Sequence, residues 1–164
     1  MPPAYFEDFT VGQTFASRAE AMERGRLIAF GQEFDPQPQH LGEAEAAASN
    51  FGALVASGWH TAALTMRLFT EALPPIAGGG QGLAVEELSW PNPVRAGDEI
   101  HAEIEILALR ESRSRPGKGI VRLRCLTKNQ RGEVVQTAVH TMMAPRRPAA
   151  APPTSAGSAP PPTP

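Results

Sequence analysis

Apolar and polar residues alternate along the second half of the chain, most clearly over residues 98–111. The apolar positions there are Ile100, Ala102, Ile104, Ile106 and Ala108, and the polar ones between them include His101, Glu103 and Glu105. A period of two predicts a strand with one buried face and one wet face. Similar patterns predict strands over residues 82–90, 118–128 and 133–144, with a hairpin turn at residues 129–132.

A different pattern occupies residues 59–73. Apolar side chains lie almost all around this segment, which follows Gly58 and ends at Pro74 and Pro75. A helix that is apolar on nearly every side is expected to be buried on nearly every side. We therefore predict a central buried helix.

Weaker signals precede that helix. Residues 13–19 alternate and predict a short strand, and residues 44–48 predict one or two helical turns. Residues 22–32 predict a short helix, although Gly25 and Gly31 each weaken it by about 1 kcal/mol. Pro36 and Pro38 restrict the backbone and predict a rigid loop over residues 34–40.

The order of these elements indicates an α+β fold, in which a curved antiparallel sheet wraps around one buried helix. Residues 1–147 are predicted to form a single domain. Residues 148–164 contain only Pro, Ala, Thr, Ser and Gly. Such a composition cannot bury enough apolar surface to fold, so this segment is predicted to be a disordered tail.

Charge and composition argue against some classes of function. The chain has 15 Lys and Arg against 17 Asp and Glu, which gives no overall field for nucleic acid or a membrane surface. The N-terminus lacks the pattern of a signal peptide, and the single Cys125 cannot form an internal disulfide. These features predict a cytoplasmic protein. A small sheet with a long edge also favours a homodimer.

The most informative chemistry lies at Asp35 and His40, which are separated by a segment containing two prolines. Acid-base catalysis requires the two groups to be held close together, and the restricted backbone angles of proline would hold them there. The alternative is an ordinary Pro-rich turn in which Asp35 bonds its own backbone.

Asp35, Pro38 and His40 also fall on the fixed positions of a known motif: Asp, any residue, Asn, Pro, any residue, His. Residues 56–68 and 93–98 are similar to later segments of the same family. The chain resembles the MaoC-type acyl dehydratases, which include (R)-specific enoyl-CoA hydratases, over about residues 5–145. It departs from them at Gln37, where the motif has Asn. Ser57 and Met66 stand where many members have His and Ser.

The resemblance implies a hot-dog fold and the hydration of an enoyl-CoA thioester. Asp35 and His40 would hold and deprotonate the water, and the Gly58 N–H would form an oxyanion hole for the thioester carbonyl. No metal and no cofactor beyond the coenzyme A thioester is implied. Candidate substrate-binding residues are Gln37, Ser57, Trp59 and His60, with Arg95, Arg113 and Arg115 as candidates for the phosphates of coenzyme A.

Alternatives remain for several of these residues. His60 competes with His40 for the catalytic role or serves as a packed structural histidine. The alternative for Gly58 is a role in helix entry only, and the alternative for the arginines is a solvated turn. His101 and His140 lie on predicted strands at solvent-facing or lateral positions and are assigned no role. The rival functions are an acyl-CoA thioesterase and a catalytically silent acyl-CoA-binding or scaffold subunit.

Overall fold

The computed structural model describes residues 2–148. Residues 149–164, nearly all of the predicted tail, lie outside the described part of the chain. Within residues 2–148, no helix is long and apolar enough to cross a membrane.

The elements follow the predicted order. After a 3-10 turn at Phe6–Asp8 come β1 (Thr14–Ala16), β2 (Glu20–Ala21), α1 (Arg24–Phe34), α2 (Pro38–Leu41), α3 (Glu43–Ala47), α4 (Gly58–Ala72), β3 (Gln81–Ser89), β4 (Glu99–Glu111), β5 (Lys118–Asn129) and β6 (Val134–Pro145). The predicted rigid loop over residues 34–40 was wrong in part. Phe34 still belongs to α1, and Pro38 begins a short helix that contains His40, because proline suits the first position of a helix.

All the strands form one antiparallel sheet. Its order is β1-β4-β5-β6-β3, and β2 pairs with the start of β4. The β5–β6 turn includes Gly132 with a φ of 77°, a left-handed conformation that glycine adopts without strain. The α+β prediction is confirmed.

Burial follows the alternation read from the sequence. Ile100, Ala102, Ile104 and Ile106 on β4 are buried, as are Val121, Leu123 and Cys125 on β5. These side chains pack against one face of α4, which contributes Leu64, Leu68 and Phe69 to the same core. Thr65 and Thr127 share a buried hydrogen bond of 2.9 Å, which satisfies two polar groups between helix and sheet.

The prediction that α4 is buried on nearly every side was wrong for the single chain. Trp59 is 60% exposed and Met66 is 41% exposed, and both lie on the helix face that points away from the core. The sheet contacts only one side of the helix, so an apolar stripe of Trp59, Ala63 and Met66 remains uncovered beside the exposed polar residues of α4.

Candidate active site

Three helix ends meet at one edge of the molecule. Asp35 follows the last residue of α1, His40 lies in α2, and Ser57 caps the first turn of α4. Helix ends leave backbone amides and carbonyls without partners inside the helix, so this junction is rich in fixed polar groups. The chain thereby gathers side chains that are more than 20 residues apart in sequence.

His40 and Asp35 face each other at the centre of this junction. The Nε2 atom of His40 lies 3.4 Å from the Oδ2 atom of Asp35. The other ring nitrogen, Nδ1, lies 2.8 Å from the carbonyl oxygen of Val55. A carbonyl can only accept, so Nδ1 carries a proton. In the neutral ring Nε2 would then be an acceptor, and it lies beside Asp35 and 3.5 Å from the side-chain amide of Gln39.

The carboxylate of Asp35 is itself held by two donors. The Ser57 hydroxyl donates to Oδ2 at 2.6 Å, and the Gln37 side-chain amide donates to Oδ1 at 2.7 Å. These two hydrogen bonds hold the pKa of Asp35 below its ordinary value, because they favour the charged form. Gln37, the departure from the motif, uses its longer side chain to reach back to Asp35.

A cleft of about 380 Å³ opens beside the pair and includes Gly58. A Cβ atom added to Gly58 would lie 2.8 Å from the ring of Trp90, so the indole stands directly over this glycine. Trp90 is fixed by a 2.9 Å hydrogen bond from its Nε1 to Gln136 and by edge-on contact with Trp59. Within the described chain, no oxygen accepts a hydrogen bond from the Gly58 N–H. Close packing therefore requires glycine here, and its amide has no acceptor among the described residues.

Gly31 has a similar role beneath His40. A Cβ atom added at Gly31 would lie 2.5 Å from the backbone oxygen of His40 and 2.8 Å from its Cβ. The sequence suggested only that Gly31 weakens α1. In the structure it lets α1 approach the backbone of α2, which sets the position of the imidazole.

Gly31→Ala is expected to lower the free energy of unfolding by roughly 1–3 kcal/mol, because the added methyl overpacks against backbone that cannot move aside. It should also displace His40 and reduce any activity that depends on it. Thermal unfolding measures the first effect. Gly25→Ala is the matched control on the same helix, since no atom lies within 4 Å of its added Cβ. Equal stability of the two variants would contradict this account.

The other residues predicted to bind substrate either lie at the cleft or lie away from it. Gln37 and Trp59 line the cleft, and Arg95 is exposed next to its wall residue Val94. His60 does not line it: its ring stacks on Phe30 at 4.7 Å in a groove between α1 and α4. Burial and the nearby Arg26 lower the pKa of His60.

Arg113 and Arg115 are not brought to the cleft of their own chain. They lie in the β4–β5 turn, whereas the cleft lies at the end of the sheet where β4 begins. At about 3.3 Å per residue, a strand as long as Glu99–Glu111 separates the two ends by about 40 Å. Arg115 instead donates to Gln81 at 3.1 Å.

Several residues of the site were not anticipated. The Val55 carbonyl, which fixes the tautomer of His40, acts through its backbone and leaves no signal in the sequence. Trp90 ends a predicted strand, and its position over Gly58 follows from tertiary packing alone. His140 was expected at a solvent-facing or lateral position. It is instead buried, with its ring 4.7 Å from that of Phe69.

The comparison with family models gives one match, to the MaoC like domain, over residues 8–129. That is well over half of the chain. The chain belongs to the MaoC-like dehydratase family.

Individual relatives agree with this assignment. An (R)-specific enoyl-CoA hydratase of Rhodospirillum rubrum is 31% identical over 144 residues, which are 87% of this chain and 93% of that protein. The crystal structure of a MaoC-like dehydratase from Rhodospirillum rubrum is 50% identical, with a TM-score of 0.83 over 88% of this chain and 99% of that one.

The fold has a further parallel in the protein RV0216 of Mycobacterium tuberculosis, described as having a double hotdog fold. It gives a TM-score of 0.77 at 20% identity, and the alignment covers 92% of this chain and 46% of that one. These likenesses confirm the predicted hot-dog fold for this member of the MaoC-like dehydratase family.

Proposed function

We propose that this MaoC-like protein adds water to an enoyl-CoA thioester, or removes it in reverse, with Asp35 and His40 as the acid-base pair. The proposal depends on one observation: Nε2 of His40 and Oδ2 of Asp35 lie 3.4 Å apart, while Nδ1 of the same ring is held by the Val55 carbonyl. In the neutral form of the ring, this pair presents two acceptors to one water molecule, whose two O–H groups would donate one to each.

The reaction can be followed bond by bond. The held water loses a proton to the pair while its oxygen forms a bond to C3 of the substrate. The electron pair of the C2–C3 double bond shifts toward the thioester, and negative charge develops on the carbonyl oxygen. A proton then returns from the pair to C2, so one water has been added across the double bond. Neither a metal nor a cofactor is needed for these steps.

The N-terminus of α4 supports the developing negative charge. The Gly58 N–H has no acceptor within residues 2–148, and the helix dipole adds positive potential at this end. A preorganised donor at a developing oxyanion is among the larger contributions to catalysis. The thioester carbonyl would therefore bind at Gly58 and set C3 near the water.

The coenzyme A moiety would leave through the open side of the cleft. Trp59 offers an exposed aromatic surface there, and Arg95 is an exposed cation next to the cleft. We assign the phosphate contacts to Arg95 rather than to Arg113 and Arg115 of the same chain, because those two lie at the far end of the sheet.

The test is incubation of the purified protein with crotonyl-CoA and with a longer enoyl-CoA. Loss of the conjugated thioester absorbance together with formation of the 3-hydroxyacyl-CoA would support hydration. Release of free thiol would instead identify a thioesterase. Binding of the thioester without any product would identify a silent acyl-CoA-binding subunit.

We also propose that a second copy of the chain covers the exposed part of α4 around Met66, which lines a different cavity from Trp59. The outer edge of β3 is unpaired within the described chain, and Val85 on it is 51% exposed. Between β3, β6 and α4 lies a cavity of about 490 Å³ with a largely apolar lining. If this edge paired with the same edge of a second copy, both the unpaired strand and the apolar surface beside it would be shielded from water.

Val85→Asp is expected to weaken such a dimer, because a charge would be buried at the shared edge. Sedimentation measured over a range of concentrations should give a dimer for the wild type and a larger monomer fraction for the variant. Val11→Asp is the matched control: this valine is 58% exposed and lies near β1, at the other side of the sheet. A wild-type protein that sediments only as a monomer would contradict the proposal.

A further inference from the structure

Ser57 lies between the proposed catalytic carboxylate and the first turn of α4. Its side chain is buried, with 1% of the residue exposed. The hydroxyl donates to Oδ2 of Asp35 at 2.6 Å and accepts from the backbone N–H of Trp59 at 3.2 Å. A hydroxyl so enclosed does not reach a bound substrate, so the substrate-binding role suggested by the sequence does not suit it.

The direction of each hydrogen bond follows from its partners. The Trp59 N–H can only donate and the ionised Asp35 can only accept, so the Ser57 O–H must point at Asp35. The result is a chain of two bonds that runs from the positive end of α4 to the carboxylate. Hydrogen bonds in such a chain polarise one another, and the helix dipole favours negative charge at its end.

The two oxygens of Asp35 are held differently. Oδ1 accepts from Gln37, whose side chain is exposed and can exchange this bond for water. Oδ2, which faces His40, accepts from the buried Ser57. The oxygen that faces the proposed water is thus the one oriented by a rigid donor.

We propose that Ser57 is a positioning residue that orients the Asp35 carboxylate toward His40 and keeps it charged. Its kinetic consequences rest on the hydration function proposed above. The simpler alternative is that Ser57 only caps α4, as serine commonly does.

Three substitutions separate these roles. Ser57→Ala removes both the cap and the donor to Asp35. Ser57→Gly removes the donor but keeps much of the stability, because glycine is tolerated as an N-cap far better than alanine. Ser57→Thr keeps a hydroxyl that can serve both contacts. A capping role predicts that the glycine variant behaves like the wild type, whereas a positioning role predicts that it behaves like the alanine variant.

For enoyl-CoA hydration, we expect kcat of Ser57→Gly to fall about 10- to 100-fold, as for loss of a hydrogen bond to a charged group, with KM changed much less. The pKa of Asp35 should rise toward its ordinary value once the donor is lost. The acid limb of the pH–rate profile should therefore move to higher pH. Ser57→Thr should recover most of the rate.

The control is Ser17→Ala. Ser17 also accepts a backbone N–H, that of Ala102 at 2.9 Å, but it has no contact with Asp35. Its loss should lower the melting temperature without moving the pH profile. Wild-type kcat and an unmoved acid limb in Ser57→Gly would overturn the proposal.

The role of Ser57 can also be tested without an activity assay, so that its test does not depend on the proposed hydration. Carbon-13 NMR of labelled Asp side chains, assigned with Asp35→Asn, follows the titration of Asp35 directly. A higher midpoint in Ser57→Gly than in the wild type would support the positioning role even if no enoyl-CoA were hydrated. An unchanged midpoint would overturn it even in an active hydratase.

Discussion

Asp35→Asn is expected to lower kcat for enoyl-CoA hydration by about 10²- to 10⁴-fold, the usual contribution of a positioned acid-base group. Asparagine has nearly the same shape as aspartate, so the cleft and the fold should persist. It cannot take a proton from water, and its amide donor would disturb the two-acceptor arrangement with His40. Steady-state kinetics with crotonyl-CoA should show the loss in kcat rather than in KM.

The pH dependence offers a second check on Asp35. The pKa of this carboxyl lies below its ordinary value, because Ser57 and Gln37 stabilise the charged form. Activity that needs the carboxylate is present above that lowered pKa and is lost as the pH falls through it, so Asp35 should remain ionised throughout the neutral range. Asp8→Asn is the matched control, since Asp8 pairs at the surface with Arg147. Asp35→Asn with near wild-type kcat would exclude the proposed mechanism.

His40→Asn is expected to lower kcat for enoyl-CoA hydration by a similar factor. The asparagine amide can take the place of Nδ1 and still donate to the Val55 carbonyl, so no buried acceptor is left without a partner. No atom takes the place of Nε2, the acceptor that faces Asp35. The measurement is again kcat with crotonyl-CoA, compared with the melting temperature to exclude unfolding.

His60→Asn is the matched control for His40. His60 is equally buried, yet it stacks on Phe30 away from the cleft. We expect this variant to lose stability and to keep most of its rate, which would also decide between the two histidines. A large loss of kcat in a folded His60→Asn with little loss in His40→Asn would reverse the assignment.

The double variant Asp35→Asn/His40→Asn tests whether the two groups work as one unit. Residues that act together on the same water lose nearly everything when either is removed, so the double variant should be scarcely slower than each single one. Independent roles would instead multiply the two losses.

Much of the fold was predictable from local patterns. The bounds of the four long strands differ from the predicted ranges by about one residue, because one-sided burial leaves a period of two that the sequence displays directly. The helix α2 was missed: a helix of four residues has no visible periodicity, and it is held by its contact with Gly31 of α1. The exposure of Met66 was also missed, since an apolar stripe looks the same in sequence whether or not its own chain covers it.

The amino-acid sequence alone was enough to predict the antiparallel sheet, the helix that packs on it, and the candidate residues Asp35, His40 and Gly58. Those features depend on local periodicity and on a short motif, which neighbouring residues encode. Three features became visible only in the folded chain: Ser57 donates to Asp35, the Val55 carbonyl binds Nδ1 of His40, and Arg113 and Arg115 lie far from the cleft. Each of these depends on which distant segments meet and at which end of the sheet, and that depends on packing across the whole domain.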